Sequence, residues 1–383
     1  MKKIKAFPDI DIRTLARRVS DNPILDSADF YCYASGRAAV YFMAKAISGG
    51  QRRTAYLPAF HCGVEVEAFV RAGFEVKFYP LRDNLEADLN KASEYEISPG
   101  DVFFVIHYFG FSQPMESIAD FCRQHQLILV EDCAHGLYSR NGQRLLGTYG
   151  DWAIFSMRKT LALPNGGGVL KNSPSFPRPA IGKRHFNPAL VKSSIRSILD
   201  YEINAGSIVG IPAGLLLRTY SRFAGFSSCS VAGGKSTRDE PDLSFYEDNR
   251  FGYDLDISKI SRLFLQPMSV TDIVNRRREN YRVLSHRLRH RSDLEPVFPE
   301  LKDGVCPLCF PVWVAHSDWW MTELIRKGIE GFVFGRHHHP FLCEREADSV
   351  EKMRTGILGL PVHHNLSEED IEELAHRIED ISN

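Results

Sequence analysis

The chain predicts an α/β protein: a largely parallel sheet covered by helices on both faces, with a smaller C-terminal α+β domain. Three observations predict it. At 383 residues the chain has room for one large domain and a smaller one. Between residues 36 and 131 short β-branched or aromatic runs alternate with helical patterns, which demands crossover connections and hence parallel strands. Beyond residue 172 that alternation stops, and a long helical pattern from residue 269 opens a different unit. The boundary falls between 1–266 and 267–383.

Small residues in "ASGRAAVYF" (34–42) open a first helix, and "TAYLPAF" (54–60) is the next strand. The helical "GVEVEAFVRAG" (63–73) leads into the strand "FEVKFYPL" (74–81). "DVFFVIHYF" (101–109), "MESIADFCRQHQ" (115–126) and "LILVED" (127–132) repeat the strand, helix, strand order. Ligands gather at the carboxyl ends of strands in such sheets. That rule singles out Pro58–Cys62, His107–Ser112, Asp132–His135 and the turn around Lys159.

The rest of the chain excludes more than it assigns. Forty-seven basic against forty-eight acidic residues leave a formal charge of −1, which argues against a nucleic-acid partner. The arginine-rich helix after 269, with Val274, Arg277, Tyr281, Leu284 and Leu288 along one face, is expected to pack that face and solvate its basic remainder. The apolar 203–217 stretch is shorter than the roughly 20 residues a bilayer span needs, and it carries three glycines and a proline. No apolar run follows the first lysines, so a cytoplasmic location is expected. The eight cysteines show no framework spacing and are expected reduced. Cys306 and Cys309 form a lone C-x-x-C without a second pair, so no metal is expected and a buried strand is. Ser367 is placed to cap a last helix with an acidic first turn.

Alone, each strand-end residue is ambiguous, since an aspartate such as Asp132 often only forms a turn. Together, a buried acid, the amine of Lys159 and an anion-binding helix start at Gly36, Arg37 and Ala38 form a more demanding set. Ser156 and Arg158 flank the lysine and add donors for an anion. Pyridoxal 5'-phosphate asks for such residues: an amine for a Schiff base, a carboxylate for the pyridine nitrogen, and donors for the phosphate.

The ordered motifs "SGRAAV" (35–40), "VIHYFGFSQPMESI" (105–118), "VEDCAHG" (130–136), "GTYGDWAIFS" (147–156), the lysine with "NGGGVL" (165–170), and "LPVHHNLSEEDIEEL" (360–374) resemble the DegT/DnrJ/EryC1/StrS aminotransferases. These are fold-type-I pyridoxal-phosphate enzymes, most of which aminate nucleotide-linked keto-sugars. The resemblance implies that Lys159 carries the cofactor and moves protons, that Asp132 pairs with the ring nitrogen, and that His135 contacts the ring. It places Gly36, Arg37, Ala38 and Ser156 at the phosphate, with Arg37 where the family has threonine. It further implies glutamate as amino donor and a homodimer with shared active sites.

The departures mark a divergent branch. The step from Ser156 to Lys159 is two residues shorter than the family's, which brings Arg158 forward as a phosphate ligand. "LPAFHCG" (57–63) puts His61 and Cys62 where the family stacks an aromatic ring on the cofactor, and His61 is the expected stacking residue. "GYDLDIS" (252–258) carries Asp254 and Asp256 where an asparagine and an arginine are usual; these must point away or answer a local charge such as Arg37. Those aspartates motivate one alternative, a binding or regulatory protein without turnover; an acceptor other than a sugar is another. A Rossmann dehydrogenase lacks its G-x-G-x-x-G here. The three histidines of "FVFGRHHHP" (332–340) are expected at substrate or an interface.

Overall fold

In the computed structural model, residues 2–16, 22–184, 188–204, 253–265, 269–336 and 338–381 are described. Seven strands form the main sheet: β1 (Phe30–Tyr33), β2 (Thr54–Pro58), β3 (Glu75–Tyr79), β4 (Val102–Ile106), β5 (Ile128–Asp132), β6 (Trp152–Phe155) and β7 (Gly167–Lys171). Their spatial order is β1-β7-β6-β5-β4-β2-β3. The run from β3 to β6 is parallel throughout, and β7 and β1 extend it antiparallel. All five residues of β4, Val-Phe-Phe-Val-Ile, are buried, as a central strand covered on both faces requires.

Helices α1 (Gly36–Ser48), α2 (Val64–Arg71) and α3 (Met115–Gln124) cover the sheet. The Ser35 side chain caps α1 by accepting from the Ala38 N–H at 3.1 Å, and Gly49 ends it in the left-handed region at φ 52°. Between β6 and β7 a single turn, α4 (Met157–Thr160), holds Lys159. The glycines that follow let β7 pass close to the α1 start: a Cβ on Gly167 would sit 2.0 Å from the Ser35 carbonyl oxygen.

The C-terminal part has its own antiparallel sheet of β8 (Glu295–Pro296), β9 (Cys309–Trp313) and β10 (Ile357–Pro361). It packs with helices α6 (Val270–Arg287) and α7 (Glu368–Glu379), which follow α5 (Pro188–Asn204) in the chain. We propose residues 267–383 as the smaller domain. The N-terminal segment also pairs with it: Ile4 donates to Gly328 and accepts from Glu330. Ser367 caps α7 in a reciprocal box with Asp370. Cys309 opens β9, and both C-x-x-C thiols are buried and pushed up in pKa by that burial. Beyond residue 204, the apolar 203–217 stretch lies outside the described residues. Among the described residues no helix is long and apolar enough to cross a membrane.

Arg277 lies on the packing face as expected, whereas Arg278 departs from the solvated face expected of the basic remainder. Arg277 is fully buried and donates to the carbonyls of Pro307, Leu308 and Thr160. Arg278 is also buried and donates to Lys302 and Val305 carbonyls. Backbone carbonyls left over where β9 begins need donors, and a guanidinium has five in a planar fork. Arg277→Met should leave three buried carbonyls unpaired and lower stability by about 2–4 kcal/mol, measured as a shifted urea midpoint at constant slope.

Candidate active site

The parallel register brings the carboxyl ends of β4, β5 and β6 side by side, with Ile106 opposite Asp132 and Asp132 opposite Ile154. Glu131, pointing to the other face from Asp132, organises this edge. Its carboxylate accepts from the backbone N–H groups of Gly147, Tyr149 and Gly150 at 2.6–2.8 Å, and from His107 Nε2 at 3.1 Å. The Nδ1 atom of His107 accepts from the Gln113 N–H at 3.2 Å, so its proton lies on Nε2. Glu131, His107 and Cys133 lie close enough together to suggest a metal site, yet the carboxylate is already satisfied by four donors. The cluster is a structural clamp.

On the opposite face, Lys159 Nζ lies 2.9 Å from His135 Nε2. The His135 ring is buried and fixed by the Phe109 N–H, which donates to Nδ1 at 3.2 Å. Burial, and then the nearby lysine, hold its pKa well below the usual histidine value. Asp132 accepts from the Ala134 N–H at 2.7 Å. Burial and then the carboxylate of Glu65 push its pKa up to about 7, against the pull of the Ala134 N–H and Lys159. Phe334, from the C-terminal part, lies 5.9 Å from Lys159 Nζ and packs edge-on against His135 at 4.8 Å.

Beside the lysine turn lies a region suited to an anion. Gly36 and Ser156 meet there: a Cβ on Gly36 would sit 3.3 Å from the Ser156 Cβ. Arg158 is exposed to solvent, and desolvation by the protein around it, and then the charge of Arg37, lower its pKa from the ordinary arginine value. Two guanidinium groups thus converge at a helix N-terminus, an arrangement that favours a phosphate. Arg37 also rests over the Tyr253 ring at 5.5 Å, and Arg71 over the same ring at 4.5 Å. Amine, buried acid and anion donors together fit pyridoxal phosphate in chemistry and in their placement along one sheet edge.

Two expected ligands are corrected. Ala38 is fully buried and its N–H already donates to the Ser35 cap. His61 is a core residue: its ring stacks on Phe78 at 4.9 Å, Nδ1 bonds the Pro58 carbonyl, and Nε2 accepts from the His339 N–H. A ring so enclosed is not the cover for a cofactor. Its neighbour Cys62 is half-buried, donates its thiol proton to Glu65 at 2.8 Å, and feels the charge of Lys159. Glu65 was missed in the sequence because the second residue of an exposed-looking helix is ordinarily a solvated acid favoured by the dipole. Asp254 and Asp256 are answered by Lys183 at 2.8 Å and Arg262 at 2.7 Å. Among the three histidines, His339 bridges to Glu67 at 3.3 Å and is structural; His337 lies outside the described residues.

Fold and site together define the class: an α/β protein built like the aminotransferases. The fold is that of Helicobacter pylori PseC, an aminotransferase involved in the biosynthesis of pseudoaminic acid, at 15% identity and TM-score 0.63 over 99% of this chain and 98% of that one. AtS13 from Actinomadura melliaura matches at 16% identity and TM-score 0.64 over the whole of both chains. Residues 42–181, which hold the lysine and the buried acid, match the DegT/DnrJ/EryC1/StrS aminotransferase family. Similarity to curated relatives is local. GDP-perosamine synthase from Vibrio cholerae is 25% identical over 37% of this chain and 39% of its own length. The spore coat polysaccharide biosynthesis protein SpsC from Bacillus subtilis is 38% identical over 17% of each. The chain therefore aligns with well under half the length of these relatives.

A raised carboxyl pKa makes stability fall with pH. The folded state without cofactor holds the Asp132 proton more tightly than the unfolded chain does, so this contribution is full below about pH 4 and lost as pH rises through about 7. Asp132→Asn removes that loss. Its stability relative to the parent should climb between those values by on the order of 4 kcal/mol and then level off, as read by urea denaturation at a series of pH values.

Proposed function

We propose that the protein is a pyridoxal-phosphate-dependent aminotransferase that transfers an amino group, from glutamate, to a keto-sugar linked to a nucleotide. The observation that carries this reading is Lys159 in contact with His135 at the same sheet edge as the buried Asp132 and the Arg37–Arg158 pair. The names of the relatives, a GDP-perosamine synthase and a polysaccharide biosynthesis protein, support the substrate class.

When bound, the cofactor supplies an electron-accepting ring that allows a carbon–hydrogen bond beside the amine to ionise. Asp132 would hold a proton at the ring nitrogen, keeping that acceptor positively charged. Lys159 Nζ would anchor the cofactor and move the proton between carbon atoms, with Phe334 and His135 excluding water on its flank. Arg37, Arg158, Ser156 and the α1 start at Gly36 would hold the phosphate. Cys62, whose thiol is held by Glu65, would stand beside the cofactor in place of a stacking ring.

The purified protein should show a visible absorbance band with added pyridoxal phosphate that borohydride bleaches and that Lys159→Ala lacks; glutamate should convert the band in the parent. A protein that stays colourless sinks the proposal. Arg158→Ala should weaken pyridoxal phosphate binding by about tenfold or more while leaving pyridoxal binding unchanged, since only the former carries the anion. We also propose a cytoplasmic homodimer whose subunits complete each other's sites; a monomer in sedimentation at micromolar concentration would count against it.

A further inference from the structure

We propose that the left-handed turn at Phe109 is a positioning device that fixes the proton of His135 on Nε2, facing Lys159. Its significance rests on the function proposed above; its geometry does not.

Phe109 has φ 56° and ψ 13°, a backbone conformation that a bulky side chain rarely adopts. The surroundings hold it there. Its ring is fully buried, and its carbonyl accepts from the Leu308 N–H at 2.9 Å. Gly110 follows at φ 100°, where a Cβ would lie 2.4 Å from the Cys306 carbonyl oxygen. Strain of this kind gathers at functional sites when it aims a group. Here it aims the Phe109 N–H at His135 Nδ1.

A neutral imidazole has one proton. With Nδ1 accepting from the backbone, that proton belongs on Nε2, which lies 2.9 Å from Lys159 Nζ. An Nε2–H held at that distance leaves no lone pair there for an ammonium to donate to, so the device favours the neutral amine, the form that can attack a carbonyl. Three rings prevent the imidazole from turning: Phe109 stacked at 5.7 Å, Phe334 edge-on at 4.8 Å and Phe332 edge-on at 6.1 Å. Two of the three come from the C-terminal part, so the domain contact also sets the orientation of His135. Burial keeps the ring neutral, consistent with its lowered pKa. The device is a positioning one, because Phe109 acts through His135.

Nitrogen NMR of protein labelled at histidine, without cofactor, tests this directly. His135 signals are assigned by their loss in His135→Gln. The expected result is a neutral ring with an excess of the Nε2–H form of about tenfold or more, unchanged from about pH 6 to about pH 9. Phe109→Gly, which accepts the left-handed conformation and keeps the N–H, should retain that excess. Phe109→Val, whose branched side chain disfavours the turn, should erode it by about tenfold. A proton on Nδ1, averaging of the two forms in the parent, loss of the excess in Phe109→Gly, or full retention in Phe109→Val each overturn the proposal. If Phe109→Val does not fold, the parent and Phe109→Gly still decide it. Since no cofactor is present, failure to bind pyridoxal phosphate overturns the proposed function and leaves the tautomer result standing.

Discussion

The carboxylate of Glu131 sits at zero exposure and holds four hydrogen bonds, three from the backbone turn 147–150 and one from His107. A buried charge is tolerable only when its acceptor sites are filled, and here the filling groups are those that close the loop between β5 and β6 and the end of β4. Alternation along β5 then sends the next side chain, Asp132, to the opposite face. The position of the buried acid and the entry angle of the turn bearing Lys159 both descend from that clamp. The sheet edge is rigid on one face so that the other can carry reactive groups.

On the reactive face the groups are matched against their own stability. Asp132 is buried near a second carboxylate, Glu65, and Arg158 stands beside Arg37. Like charges brought together raise the free energy of the protein alone and lower it again when a ligand of opposite charge arrives. A cation near Asp132 and a dianion between the arginines would each remove one conflict. The aspartates 254 and 256 each have their own counter-charge, in Lys183 and Arg262, so neither sets an unanswered negative charge against an anion held by the arginine pair.

The C-terminal part does more than flank the site. Arg277 reaches from α6 to the carbonyl of Thr160, the residue after Lys159, and also to Pro307 and Leu308. Phe334 covers the lysine and His135 from the same part of the chain, and His339 ties that segment to His61 and Glu67. Movement of this part relative to the sheet would alter the lysine turn, the imidazole and its cover together. The C-terminal part is therefore tied to the site by buried polar contacts, which are specific in geometry, and not by apolar packing alone, which tolerates sliding.

Sequence by itself determined the parallel sheet, because the alternation of strand and helix patterns between residues 36 and 131 admits little else, and it determined that Lys159, Asp132 and His135 share the carboxyl edge, because strand ends in such a sheet are neighbours. Local chemistry also fixed the Ser367 cap, whose partner lies three residues on. Tertiary structure decided what depends on distant partners. An arginine on a helix is solvated or buried according to whether unpaired carbonyls face it, and those facing Arg277 lie 30, 31 and 117 residues away in sequence. His61 or Cys62 could equally have turned toward the site; Phe78 and His339 captured the histidine. The tautomer of His135 is the deepest case, for it rests on a backbone N–H whose direction comes from strain at Phe109, and a backbone amide leaves no trace in the residue letters.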